Sequence, residues 1–147
     1  MSGSWSKKAV SEASKVTSIN TIASSEDSGF TSAPSPDSWA ITKDAAYVHY
    51  CPNETIQGVA VHSPPTLSKP LIADMSSVIL SEPIDVSKFS LIYAGAQKNI
   101  GPAGLTMVVI EKEFMSMENE SLPNILRYSK HSESDSCLLY TSPSPRD

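Results

Sequence analysis

Phe89-Ser90-Leu91-Ile92-Tyr93-Ala94 is an apolar run that breaks at once into Gly95-Ala96-Gln97-Lys98-Asn99. A compact apolar run that gives way to polar residues is the signature of a strand buried on both faces in a parallel sheet. The same shape recurs upstream. Ala45-Ala46-Tyr47-Val48-His49-Tyr50-Cys51 closes on Pro52 and passes into Asn53-Glu54-Thr55, and Pro70-Leu71-Ile72-Ala73 passes into Asp74-Met75-Ser76-Ser77. A fourth run, Gly104 to Ile110, leads into the charged, helix-forming Glu111-Lys112-Glu113-Phe114. The expected class is α/β, a mainly parallel sheet flanked by helices.

Apolar and small residues at three- and four-residue spacings from Ser4 to Val16 predict a helix, with Ser2 or Ser4 available as its cap. Ser18 to Ala23, carrying Ile19 and Ile22, reads as a short strand. Residues 24–37 are polar and rich in turn formers, an exposed loop. Ligands in open α/β sheets sit outside the carboxyl ends of the strands, where loops converge. The three polar strand ends, Asn53-Glu54-Thr55, Asp74-x-Ser76-Ser77 and Gln97-Lys98-Asn99, therefore mark a candidate site. The competing reading is that all three are ordinary loops between strands and helices.

Composition removes several function classes. Sixteen acidic against eleven basic residues among 147 give a net charge of −5, and the basic residues are scattered, which argues against a nucleic-acid partner. No stretch approaches the ~20 apolar residues that span a bilayer, and the opening Met1-Ser2-Gly3-Ser4-Trp5 lacks the pattern of a signal peptide. The chain reads as soluble and unsecreted, so the sequons at Asn53 and Asn119 are discounted. Cys51 and Cys137 suggest neither a disulfide framework nor a metal site, and His49, His62 and His131 are too dispersed for a metal cluster; no metal is expected.

Taken in order, His49-Tyr50-Cys51-Pro52-Asn53-Glu54-Thr55-Ile56-x-Gly58, Ala73-Asp74-Met75-Ser76-Ser77 and Tyr93-Ala94-Gly95-Ala96-Gln97-Lys98-Asn99-Ile100-Gly101-Pro102-Ala103-Gly104 resemble the phosphoserine aminotransferases, class-V enzymes of the fold-type I group. The similarity covers roughly Gly3 to Tyr128. It implies part of the large domain that binds pyridoxal 5'-phosphate, with residues 1–131 inside that domain and residues 132–147 a non-homologous tail. Within it Lys98 matches the catalytic lysine bonded to the cofactor aldehyde, and Asp74 the carboxylate beside the pyridine nitrogen. Trp5 matches the aromatic residue stacked on the ring, Thr55 a hydroxyl donor to the cofactor, and Gln97 a contact near its phosphate. Asp74 would also serve as a helix cap, Trp5 as core packing, and Thr55 or Gln97 as loop caps.

The activity so implied moves an amino group from glutamate to 3-phosphohydroxypyruvate, giving 2-oxoglutarate and phosphoserine in cytoplasmic serine biosynthesis by a homodimer. The family's chain is more than twice as long. Its substrate-gripping His-Arg pair, glycine-rich phosphate turn and carboxyl-terminal domain have no counterpart in these residues, so the sequence is expected to be a fragment with negligible turnover of its own. Cys137 to Asp147 resembles translated adaptor sequence. Two alternatives remain: another fold-type I pyridoxal-phosphate enzyme, for which a reactive loop cysteine or a dicarboxylate-binding arginine pair would speak, and a non-catalytic α/β relic.

Overall fold

The computed structural model describes residues 1–138; residues 139–147, the end of the expected tail, lie outside the described residues. The elements in chain order are α1 (Ser4–Ala13), β1 (Val48–Tyr50), β2 (Asn53–Glu54), β3 (Val59–Ala60), β4 (Leu71–Asp74), β5 (Leu91–Gly95), α2 (Ala96–Asn99), β6 (Thr106–Ile110), α3 (Lys112–Met115) and α4 (Tyr128–Glu133). The chain divides into two compact units, Met1–Val109 and the residues from Ile110 onward.

In the first unit, each of the apolar runs becomes a strand. The sheet order is β1-β4-β5-β6, and β1/β4 and β4/β5 pair in parallel, with Tyr50 opposite Ala73 and Asp74 opposite Tyr93. The α/β class with a mainly parallel sheet is therefore borne out.

Strand alternation sorts the side chains to two faces. Val48, Tyr50, Leu71, Ala73, Ile92 and Ala94 pack into one core with Met75, Ile79 and Phe89. On the opposite face His49, Ile72, Asp74 and Tyr93 are only half-buried. This corrects the expectation that β1 is buried on both faces. The second face carries polar groups that satisfy one another: His49 Nε2 lies 2.9 Å from Tyr93 Oη, their rings stack 5.9 Å apart, and the Asp74 carboxylate acts electrostatically on His49.

Three further local readings differ from expectation. The helix stops at Ala13, leaving Val16 86% exposed. Residues 18–23 form no strand, because they meet single backbone groups and not a ladder: Ile22 O accepts Ala40 N at 3.1 Å and Ala23 O accepts the Met1 amino group. Neither Ser2 nor Ser4 caps α1. Gly3 holds the cap position, and the first-turn amides go to side chains from β2 and the turn after it.

That hairpin was not foreseen. β2 and β3 pair antiparallel, and the turn between them uses Gly58 at φ +70°, a left-handed conformation that a side chain would disfavour.

In the second unit, Glu118 gathers the chain. It accepts Arg127 Nε at 3.0 Å and the backbone and hydroxyl of Ser129, and so fixes the start of α4. The Ser129 hydroxyl, with lesser help from Arg127, holds the Glu118 carboxyl below its ordinary range.

Candidate active site

The site grows from the amino end of α1. Four N–H groups at a helix start have no partner within the helix. Here Glu54, fully buried on β2, accepts Trp5 N and Ser6 N, each at 2.8 Å. Gln57 accepts Ser4 N at 3.0 Å and donates to the Ser4 hydroxyl at 2.6 Å, while Ser6 Oγ accepts Gly3 N and donates to Gly3 O. A carboxylate at this end is further favoured by the helix dipole.

Trp5 is thereby held at its backbone, and its indole is held as well: Nε1 donates to Thr55 Oγ1 at 2.9 Å. Against the ring lie two ammonium groups, Lys8 Nζ at 4.6 Å and Lys98 Nζ at 4.8 Å from the centroid. Both are within reach of a cation–π attraction. Trp5, Thr55 and Lys98 are so linked, although 93 positions separate the first from the last.

The strand ends are tied to one another. The hydroxyl and amide of Ser76 both donate to Asp74 Oδ1, at 2.6 and 3.0 Å, and Ser76 Oγ accepts Gly95 N at 3.0 Å. This couples the end of β4 to the residue that opens α2. Asp74 therefore caps a turn and not a helix. Asn53 Nδ2 donates to Ser77 Oγ at 3.0 Å, tying the hairpin to the same loop. Gln97 and Lys98 are exposed on α2, and the Gln97 side chain lies back over Gly95, where an added Cβ would stand 3.0 Å from its amide.

The charges are felt at Cys51, 4% exposed at the end of β1. Burial, then Asp74 and Glu54, push its thiol up to about 12 against the opposing pull of the amino terminus and Lys98. Burial also raises Tyr50 to about 12 and lowers His49, the latter outweighing the attraction of Asp74. Such a thiol stays protonated at neutral pH and is a poor nucleophile.

Every candidate residue thus lies in the first unit, on α1, the β2–β3 hairpin, the carboxyl end of β4, or α2 directly after β5. Sequence reasoning marked Glu54 and Ser76 only as members of the polar strand ends and gave no role to them, to Gln57 or to His49. No sequence signal set Glu54 apart, since acidic residues beside turns ordinarily face water. Among the described residues no cluster of His, Cys, Asp and Glu could hold a metal ion, and no helix is long and apolar enough to cross a membrane.

A sequence profile described as aminotransferase class-V matches residues 2–123. The phosphoserine aminotransferase of Hahella chejuensis is 50% identical over 137 residues, covering 92% of this chain and 38% of its own length. That of Nitrosomonas europaea is 48% identical over 150 residues, covering 96% and 40%. Among solved structures, phosphoserine aminotransferase from Bacillus circulans subsp. alkalophilus superposes with a TM-score of 0.90 at 42% identity, over 97% of this chain and 39% of that one. The enzyme from Trichomonas vaginalis, described as bound to pyridoxal phosphate (PLP), gives 0.85 at 36% identity over 97% and 40%. The chain spans about two fifths of the length of these relatives. With the profile matched over most of its residues and the sheet superposed on solved members, this chain belongs to the class-V aminotransferase family.

Proposed function

We propose that this stretch forms part of the pyridoxal-phosphate-binding domain of a phosphoserine aminotransferase, with residues 1–131 inside that domain and residues 132–147 foreign to it. The observation that carries the reading is the Lys98 ammonium against the Trp5 ring, 4.8 Å from its centroid, on the short helix whose cap residue Gly95 is tied through Ser76 to the Asp74 carboxylate. A flat aromatic wall, an amine next to it and a carboxylate on the adjoining strand form a donor set that fits a planar, cationic pyridine ring.

When bound, pyridoxal phosphate supplies an aldehyde that exchanges amino groups and a ring that takes up the electron pair left as a Cα proton departs. Lys98 Nζ is assigned the covalent hold and the transfer of the Cα proton. Asp74 holds the proton of the pyridine nitrogen, and Ser76 fixes the carboxyl group's orientation. Trp5 forms the stacking wall, Thr55 donates a hydroxyl, and Gln97 binds near the phosphate.

Glutamate and 3-phosphohydroxypyruvate are the proposed amino donor and acceptor, with phosphoserine and 2-oxoglutarate as products, in the cytoplasm and in a homodimer. The 147 residues by themselves are expected to turn over negligibly, because the groups that would grip substrate are not among them.

Borohydride reduction of the chain with added pyridoxal phosphate, followed by peptide mass mapping, tests the assignment. A phosphopyridoxyl adduct confined to Lys98, and lost in Lys98→Ala, is expected. Equal labelling of all lysines, unchanged in the variant, would sink it.

A further inference from the structure

Glu54 is the most deeply buried charged side chain among the described residues, at 0% exposure, and the proposed chemistry does not use it. Moving a carboxylate out of water is costly unless it is fully hydrogen-bonded. Its two oxygens are spent separately, Oε2 on Trp5 N and Oε1 on Ser6 N, both at 2.8 Å.

A local Ser, Thr or Asp at the cap position could satisfy such amides from within the helix. Instead the cap residue is Gly3, and the partner comes from 48 and 49 residues away. Gly3 is needed for that substitution of partners. A Cβ there would stand 2.6 Å from Gln57 Oε1 and 2.7 Å from the Glu54 carboxylate, closer than real Cβ atoms come. The next residue after Glu54 is Thr55, whose hydroxyl takes the indole N–H of the same Trp5. Two consecutive hairpin residues thus hold one tryptophan at both ends.

We infer that Glu54 is a positioning residue: from the β2–β3 hairpin it sets the start of α1, and with Thr55 it fixes the plane of the Trp5 ring relative to Lys98. This inference rests on the proposed cofactor site for its purpose, but not for its geometry. A helix amino end capped by its own residue is free to rock against the sheet. One clamped by a buried carboxylate keeps its first side chain in a single orientation, which a stacking wall requires.

The test is hydrogen exchange and indole NMR on the 147-residue chain carrying Trp39→Phe, so that Trp5 gives the only indole signal. In that background Trp5 N–H and Ser6 N–H should be protected like amides of β4, although first-turn amides ordinarily exchange freely. Fast exchange there would overturn the inference without any further variant.

Glu54→Gln keeps the shape but turns one acceptor into a donor. It should speed exchange at both amides by about tenfold or more and shift and broaden the Trp5 indole signal. Gly3→Ala, which leaves Glu54 in place but displaces its carboxylate, should do the same. Thr55→Val should move the indole signal and leave the two amides protected. If Glu54→Gln loosens the amides but leaves the indole signal unmoved, Glu54 is a helix cap only and the positioning role fails.

Borohydride trapping separates this from the cofactor reading. No Lys98 adduct in the parent chain, with Trp5 still responding to Glu54→Gln, defeats the cofactor reading and keeps the positioning one. A normal adduct yield in Glu54→Gln with an unmoved indole does the reverse.

Discussion

Cys51 shows what a single residue's surroundings decide. A reactive cysteine in a loop would have pointed to a different fold-type I chemistry, but Cys51 is 4% exposed and its thiol is pushed up to about 12, first by burial. Thiolate is the reacting species, so Cys51 should resist alkylation in the folded chain. Iodoacetamide at about pH 8 should modify the partly exposed Cys137 at least about tenfold faster than Cys51, and the difference should vanish in urea. Peptide mapping over time measures this; equal native rates would mean that the end of β1 is open to solvent. At this scale much of the candidate site was legible. The strand-end clusters that hold Thr55, Asp74 and Lys98 could be marked because each closes an apolar run, and the family resemblance then gave those three their roles. Glu54, in the same cluster as Thr55, received none, since its burial depends on Trp5 and Ser6 amides some fifty residues away. Asp74 was given a helix to cap, yet its partner is the turn residue Ser76.

Elements were legible where burial is nearly complete and obscure where tertiary contacts override pattern. β1, β4 and β5 stand where the apolar runs placed them, and β4 and β5 end at the polar clusters. The strand expected over residues 18–23 failed because isolated isoleucines without a pairing partner make no ladder, and the β2–β3 hairpin went unseen because two-residue strands leave too short a pattern to read. What the sequence concealed most was the sidedness of the sheet. That sidedness is testable. Ile92, 1% exposed in the core, should lose about 2–5 kcal/mol on change to Ala through lost burial and an unfilled cavity. Ile72, half-buried on the face that carries His49 and Asp74, should lose roughly 1 kcal/mol or less from the same change, since surrounding groups and water can close over it. Equilibrium urea unfolding of the two variants gives the comparison. Equal losses would mean that both faces are covered alike.

For the whole molecule, the buried titratable groups at the end of β1 set limits on both sides of neutrality. His49 has its folded pKa lowered from 6.5, chiefly by burial and against the opposing pull of Asp74. The unfolded chain therefore binds the proton first as pH falls, so stability is full above about 6.5 and declines below it until the folded form also takes up the proton. Cys51 and Tyr50 act in the other direction, raised by burial from 9.0 and 10.0 to about 12. Between those values the unfolded chain has released protons that the folded chain keeps, so stability is full below about 9 and declines as pH rises toward 12. The amino terminus, lowered from 8.0 chiefly by burial, adds to the acid side, so the expected curve of urea midpoint against pH is level from about 8 to 9 and falls on each side, with the His49 share of the acid fall beginning near 6.5. The lowered Glu118 carboxyl cannot produce the acid fall, because its unfolded value is 4.5 and its effect begins only near there. Measurements near pH 5, 8.5 and 10.5 (roughly within the three regions) suffice. His49→Gln should make the acid limb shallower below about 6.5 while leaving the part due to the amino terminus, and Cys51→Ala should shorten the alkaline limb while leaving the part due to Tyr50. Midpoints that stay level across the whole range would show that neither strand-end group is as dry as the sheet makes it, and the burial that positions the site would have to be abandoned with them.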